Sequence, residues 1–349
     1  MAFTTIDNPE LYFQTKLYTG TGSSHAITLD GSENMQPDWV WIKRRNSAGG
    51  HMLTDVIRGV TKTIITNETG AEQTFSNGLT AFGSDGFTVG SEDGFNASSD
   101  TFVAWNWKAG TSFSNDASST GVGSLDSSGS KNTTAGFSII SFTGTESGTP
   151  SIAHGLSSTP EFIISKARDV SDNWMVFHGS FSAQEYISLN STGAKASASS
   201  VWNSLPSSTV INMGDNAGVN DDGAMIMYAF NSVKGFSKFG SYTGNGNADG
   251  TFVYTGFKPA FVIIKPSSYS NSWLILDNKR NTFNPTNTRL EADGNGADYS
   301  GLDYTDFLSN GFKIRTSNSH PNDSGGTLIY IAFAESPFTN SSGVPNNAR

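Results

Sequence analysis

Short apolar runs recur along the chain, each bounded by Gly, Pro, Asn, Asp or Ser. Trp39-Val40-Trp41-Ile42-Lys43, Trp273-Leu274-Ile275-Leu276-Asp277 and Phe312-Lys313-Ile314-Arg315 are examples. In the last, Phe312 and Ile314 face one way and Lys313 and Arg315 face water, the two-residue period of a half-buried strand. The runs favour Val, Ile, Phe, Trp and Tyr, which suit a pleated surface. No stretch sustains the roughly 10–12 residues of 3.6-residue period that a helix needs. The one weak helical candidate is Pro9 to Gln14, with Asn8 as its cap. The pattern predicts an all-β fold.

The same order of landmarks occurs three times. Tyr18-Thr19-Gly20, Phe142-Thr143-Gly144 and Tyr242-Thr243-Gly244 each lead to a proline, then an aromatic, an apolar run and a lysine. These runs are Pro37 to Lys43, Pro160 to Lys166 and Pro259 to Lys265. His51, Trp174 and Trp273 follow at one fixed distance, and Asp55, His178 and Asp277 at another. Each copy closes on an apolar strand, matched here on Ala104, Ala229 and Ala332. Internal repetition of this kind marks a tandem architecture. With turn signals every 8–12 residues, each copy reads as a sandwich.

The expected organisation is three tandem β-sandwich-like modules of about 95–100 residues with short terminal arms. The modules span 18–110, 136–235 and 236–338. Residues 1–17 form an N-terminal anchoring arm, 111–135 a Ser/Gly/Thr-rich linker and 339–349 a C-terminal tail. Each module is expected to fill its own aromatic interior, with Trp105, Trp107, Trp174 and Trp273 as core.

Composition narrows the function. The 349 residues are 36% hydrophobic and only 15% charged, with 24 Phe, so the chain is no disordered polymer. A net charge of −10 disfavours phosphate backbones, and nucleic acid is not an expected partner. No run of about 18 apolar residues would insert in a membrane, and the first residues lack the pattern of a signal peptide. With no cysteine, thiol chemistry and Cys-based zinc sites are excluded.

Candidate chemistry is sparse. None of the five histidines pairs with another at metal-ligand spacing. A column that carries Asp55, His178 and Asp277 in turn is a poor catalytic position, and a polar strand-end role fits it better. The expectation is a non-enzymatic protein. Two acidic loops, Asp215 to Gly223 and Asp293 to Asp306, have the oxygen density that Ca²⁺ requires, and equally that of Asn/Asp-rich turns. Lys43, Arg44 and Arg45 read as a solvated hairpin tip able to meet an acidic partner. Leu11, Tyr12 and Phe13 are the docking residues of the arm. Trp202 and Asn203, outside the repeat landmarks, are candidates for glycan binding.

Met35 to Lys43, Val56-Ile57-Arg58-Gly59-Val60, Gly83 to Phe87, Ala104 to Lys108 and Ala332 to Phe338 together resemble virion structural proteins of marine tailed phages: tail fibre, appendage or capsid-decoration proteins. The resemblance covers nearly the whole chain and is weakest in the second copy, where His178 replaces Asp. It implies a virion location, docking on other tail or capsid proteins through the N-terminal arm, and assembly into a homo-oligomer such as a trimer. It implies no catalytic residues. The alternatives are a glycan-binding adhesin that meets the host surface and a polysaccharide depolymerase.

Overall fold

The computed structural model describes residues 3–347. The fold is all-β, with four helices of one turn each among the described residues. Its strands fall into three units, here called units 1, 2 and 3, whose principal strands lie within 13–107, 111–230 and 237–337.

Every unit repeats one pairing scheme. Strand Phe13–Thr19 pairs with Thr101–Trp107, which pairs with Trp39–Arg44, which pairs with His51–Asp55. Phe137–Thr143, Ala224–Phe230, Phe162–Ala167 and Met175–His178 follow the same order. So do Ser237–Thr243, Thr327–Pro337, Phe257–Pro266 and Leu274–Asp277. The registers correspond residue by residue: Trp39 faces Trp107 and Asp55, Phe162 faces Phe230 and His178, and Phe261 faces Phe333 and Asp277. Trp107, Phe230 and Phe333 are therefore equivalent. The closing strands match two residues away from the alignment on Ala104, because that alignment followed composition and the ladder follows register. A bulge at Pro259 gives the third proline strand extra residues that the other two lack.

A smaller sheet covers the outer face of this main sheet. In unit 1 it contains His25–Thr28, Gly86–Val89 and Leu79–Gly83. In unit 2 it is the pair Ser151–Ala153 and Val210–Asn212. In unit 3 the corresponding strands join the main sheet through Thr286–Glu291 and Tyr299–Leu308, giving eight continuous strands.

The alternation of the proline strand divides its residues between two cores, so no face is left for water. Val40 and Ile42 enter a cluster private to unit 1, whereas Trp39 and Trp41 enter a cluster common to all three units. Val262 and Ile264 likewise serve unit 3 alone, while Phe261 and Ile263 join the common cluster. The expectation of a separate interior for each copy is corrected. The inward faces of three twisted sheets meet on one axis, where Trp39, Trp107, Phe162, Phe230, Phe261 and Phe333 converge. Trp107 and Phe230 lie 5.4 and 5.9 Å from Phe333, ring centre to ring centre. The void among these rings is about 10 Å³, and its lining side chains offer a water no polar partner except the indole edges.

Two segment expectations are also corrected. Residues 111–135 are no linker. They form strands Thr111–Asn115 and Ser127–Asn132, which extend the unit 2 sheet beyond Phe137–Thr143. Outer strands with one wet face need few apolar residues, so hydroxyl-rich sequence hid them. Gly129 is required there, since a Cβ would sit 1.8 Å from the Ile139 carbonyl oxygen. Residues 1–17 are no free arm. Asn8 caps a single 3-10 turn at Pro9–Leu11, and Phe13–Thr19 is an integral strand. Thr4 and Ile6 are buried. The C-terminal residues fold back on this segment, with the Ser341 N–H donating to Asp7 Oδ1 at 2.7 Å. Residues 1, 2, 348 and 349 of the expected arm and tail lie outside the described residues.

Candidate functional site

The repeat places equivalent side chains at three unit–unit junctions, and the junctions close a ring. Unit 1 reaches unit 3, unit 3 reaches unit 2 and unit 2 reaches unit 1. The backbone N–H groups of Asp298, Lys195 and Glu72 donate to the carbonyls of Arg45, Ser267 and Arg168 at 2.6, 2.9 and 2.8 Å. In each case the acceptor lies two residues beyond the lysine of the proline strand. A second set uses side chains from one column. His51 Nε2 donates to Glu291 O at 3.1 Å, Trp174 Nε1 to Ile65 O at 3.3 Å and Trp273 Nε1 to Ser188 O at 3.0 Å.

A third set explains the Asp/His column. Trp105 Nε1 of unit 1 donates to Asp277 Oδ2 of unit 3 at 3.1 Å. The Tyr228 hydroxyl of unit 2 donates to Asp55 Oδ2 of unit 1 at 2.7 Å. The equivalent residue of unit 3 is Ile331, which has no proton to offer. There unit 2 carries His178, whose Nε2 donates to the Tyr330 carbonyl at 3.3 Å. Asp55 and Asp277 are neutralised by Arg58 and Arg280 at 2.5 and 2.6 Å, both pairs fully buried. With no carboxylate in unit 2, the arginine position holds Phe181, whose ring packs on His178 at 5.7 Å. A buried guanidinium without its partner would be costly, so the two positions change together.

Other buried ionisable groups are also committed to structure. Lys43, Lys166 and Lys265 end the proline strands and donate to backbone carbonyls. Lys43 reaches Arg44 O at 2.7 Å, Lys166 reaches Ala167 O at 2.7 Å and Lys265 reaches Thr192 O at 2.9 Å. Burial lowers each ammonium pKa to about 8. Burial also lowers His154, His178 and His320 to about 4, and His51 well below its usual value.

The sequence-derived candidates are scattered by the fold. Lys43 is no hairpin tip but a buried residue; Arg44 pairs with Asp100, and Arg45 with Asp298 across the junction to unit 3. Phe13 is buried, with its ring 4.7 Å from Trp107 and 5.3 Å from Phe333, and Leu11 and Tyr12 are half-buried beside it. Phe13 is part of the shared core and Tyr12 packs against it, so neither is free to dock. Trp202 is only 2% exposed, with its ring 6.3 Å from Phe177, so it offers no face to a sugar; Asn203 beside it is half-buried. Composition around Trp202 suggested a loop, and the loop folds inward.

In the acidic loops, Asn216 caps the turn Ala217–Asn220. Asp298 binds Arg45 and Arg280, Asp306 binds Arg315, and Asp293 accepts from the Trp273 N–H. Among the described residues no three His, Asp or Glu side chains are placed to hold a metal ion.

Open grooves lie on the surfaces of units 2 and 3. A polar groove of about 770 Å³ runs along the added strands of unit 2, lined by Ser114, Asp116, Asp126, Ser128, Ser141 and Arg168 among others. On unit 3, strand Phe252–Tyr254 turns Val253 inward and leaves Phe252 and Tyr254 45% and 53% exposed. A groove of about 510 Å³ lies beside Tyr254, lined also by Lys234, Lys238, Glu161, Ser232, Ser237 and Thr255. The Lys238 ammonium lies 5.4 Å from the centre of the Tyr254 ring, and the Lys234 ammonium 5.9 Å from that of Phe3, itself 51% exposed. The signal for this face in the sequence is the pair of aromatics flanking Val253, a pattern that a strand core gives equally.

No curated protein and no solved structure matches the chain. One family matches nearly all of it, covering the three units from the capped turn at Pro9 to the end of the last strand. Through residues 8–337, the chain belongs to the family described as a domain of unknown function, DUF7483.

Proposed function

We propose that this chain is a non-enzymatic structural protein of a phage virion, displayed on the tail or the capsid surface and able to contact the host surface. The observation that carries the reading is the ring of equivalent junctions. Three units are bound to one another by repeated backbone hydrogen bonds and by one aromatic interior, a build suited to a rigid block. The side chains that catalysis would draw on support it too. Buried lysines, histidines and aspartates hold strand ends and junctions together. The sequence resemblance to virion proteins supplies the setting. The proposed partners are other virion proteins, further copies of the chain and host-surface glycans.

The test is electron microscopy of purified particles labelled with an antibody to this chain. The reading expects label at one regular position on the particle. Particles without label, with the chain confined to the soluble fraction of the lysate, would overturn it.

A further inference from the structure

The three units act as internal controls for one another. The strand that carries Phe252 and Tyr254 has a counterpart in each of the other units, placed by register. Ile27, Ile152 and Val253 are the inward residues, opposite Phe87, Ile211 and Phe312. The flanking positions hold Ala26 and Thr28 in unit 1, both exposed, and Ser151 and Ala153 in unit 2, where Ala153 is buried. In unit 3 they hold Phe252 and Tyr254. The fold thus accepts small side chains at these sites, and the aromatic pair is not needed to build the strand. Leaving two large rings in water forgoes the stabilisation that burial would give.

The surroundings indicate a ligand. Two residues apart on a strand, both rings lie on one face of the sheet. Gly311, opposite Tyr254, adds no side chain to that face. Lys234 and Lys238 form no ion pair among the described residues and both line the adjoining groove, where Lys238 Nζ donates to the Tyr254 carbonyl at 2.8 Å. On a chain of net charge −10, the two ammonium groups outnumber the single carboxylate, that of Glu161, lining the groove beside Tyr254, and form a local cationic patch. Aromatic faces stack on the C–H face of a pyranose ring, and ammonium groups meet its acid substituents. A shallow, open groove suits a polymer lying along it.

We propose that the Phe252–Tyr254 face of unit 3, with Lys234 and Lys238, is a binding site for an acidic polysaccharide. This deepens the host-contact part of the proposed function and rests on that reading for its setting.

The test uses the purified full chain and three probes: alginate as a polyuronate, carrageenan as a sulfated galactan and dextran as a neutral polymer. Titration should show binding to at least one acidic polymer, weakening as salt is raised, and none to dextran; the two acidic arms tell carboxylate from sulfate recognition. The double variant Phe252→Ser/Tyr254→Ala, which installs the residues of unit 2, should lose about tenfold or more in affinity with an unchanged melting temperature. Lys234→Gln/Lys238→Gln should also weaken binding and reduce its salt dependence. Lys62→Gln, on unit 1, should bind as the parent does. No binding to either acidic polymer, equal binding to dextran, or full affinity in the aromatic double variant would overturn the assignment; the last result would leave the face to a protein contact. Particle labelling is read independently, so failure of the site and failure of the virion reading are told apart.

Discussion

At Gly22, Glu146 and Gly246 the three units place the same turn, at φ of 68°, 46° and 65°. Only unit 2 puts a side chain in this left-handed conformation, which favours glycine. Glu146→Gly should stabilise the chain by about 0.5 kcal/mol, read as a higher urea midpoint. The buried pairs predict larger effects. Asp55→Ala leaves Arg58 with only the longer ion pair to Glu72 at 3.5 Å, and the Tyr228 hydroxyl without its acceptor. It should cost about 3–5 kcal/mol in the same measurement.

The histidines set the acid limit. His154, His178 and His320 have folded values near 4, below the usual 6.5. Between these values the unfolded chain binds more protons than the folded one, so stability falls as pH drops from about 6.5 towards 4. The lysines act in the alkaline range. Their folded values of about 8 lie below 10.5, so the same imbalance makes stability rise from pH 8 towards 10, where tyrosine ionisation begins to oppose it. Melting temperature measured from pH 5 to 10 should rise across both windows. A flat profile between pH 7 and 5 would contradict the buried, neutral histidines.

At the scale of elements, one device recurs that the sequence did not disclose. Each unit ends a one-turn helix on a buried asparagine: Asn96, Asn220 or Asn322. Its Oδ1 accepts from the N–H of Thr21, Thr145 or Asn245 at 2.8, 2.9 and 2.9 Å, and its Nδ2 donates to the Gly90, Gly214 or Thr316 carbonyl. This clamp explains the glycine of the aromatic-Thr-Gly landmark. A Cβ at Gly20, Gly144 or Gly244 would lie 2.1, 2.1 and 2.3 Å from the carbonyl oxygen just after the asparagine. Asn322→Ala strands several buried backbone groups and should cost about 2–3 kcal/mol, measured by urea unfolding.

The landmarks were legible because register and turn chemistry recur at fixed spacing. The asparagine was not, since a lone Asn in a chain rich in Asn reads as any turn. The added strands of unit 2 were missed because Ser-Ser-Gly-Ser carries no apolar period. Lys43 was misplaced because a lysine after an apolar run normally ends in water, and here the neighbouring unit supplies the carbonyl that its ammonium needs. The burial of Trp202 is not legible in sequence, because burial of a single Trp in a polar stretch depends on the fold around it.

At the scale of the whole molecule, periodicity could show three copies but not that they share an interior. The strand pattern of Trp39-Val40-Trp41-Ile42 is the same whether the inward face meets its own unit or two others. Closure of the ring makes each unit depend on both neighbours, through the rings on the axis and the three sets of equivalent junction bonds. Removing one strand should therefore be felt everywhere: Phe13→Ala, at the edge of unit 1, takes a ring from the contact with Trp107 of its own unit and with Phe261 and Phe333 of unit 3. It should cost about 3–5 kcal/mol and lower the single melting transition without splitting it.

Scanning calorimetry of the full chain tests the shared interior most directly. With one common core, heating should give a single transition whose calorimetric enthalpy, about 240 kcal/mol at roughly 0.7 kcal/mol per residue, equals the van't Hoff value. Three resolved transitions, or a van't Hoff enthalpy near one third of the calorimetric one, would show three units that fold separately and would contradict the ring.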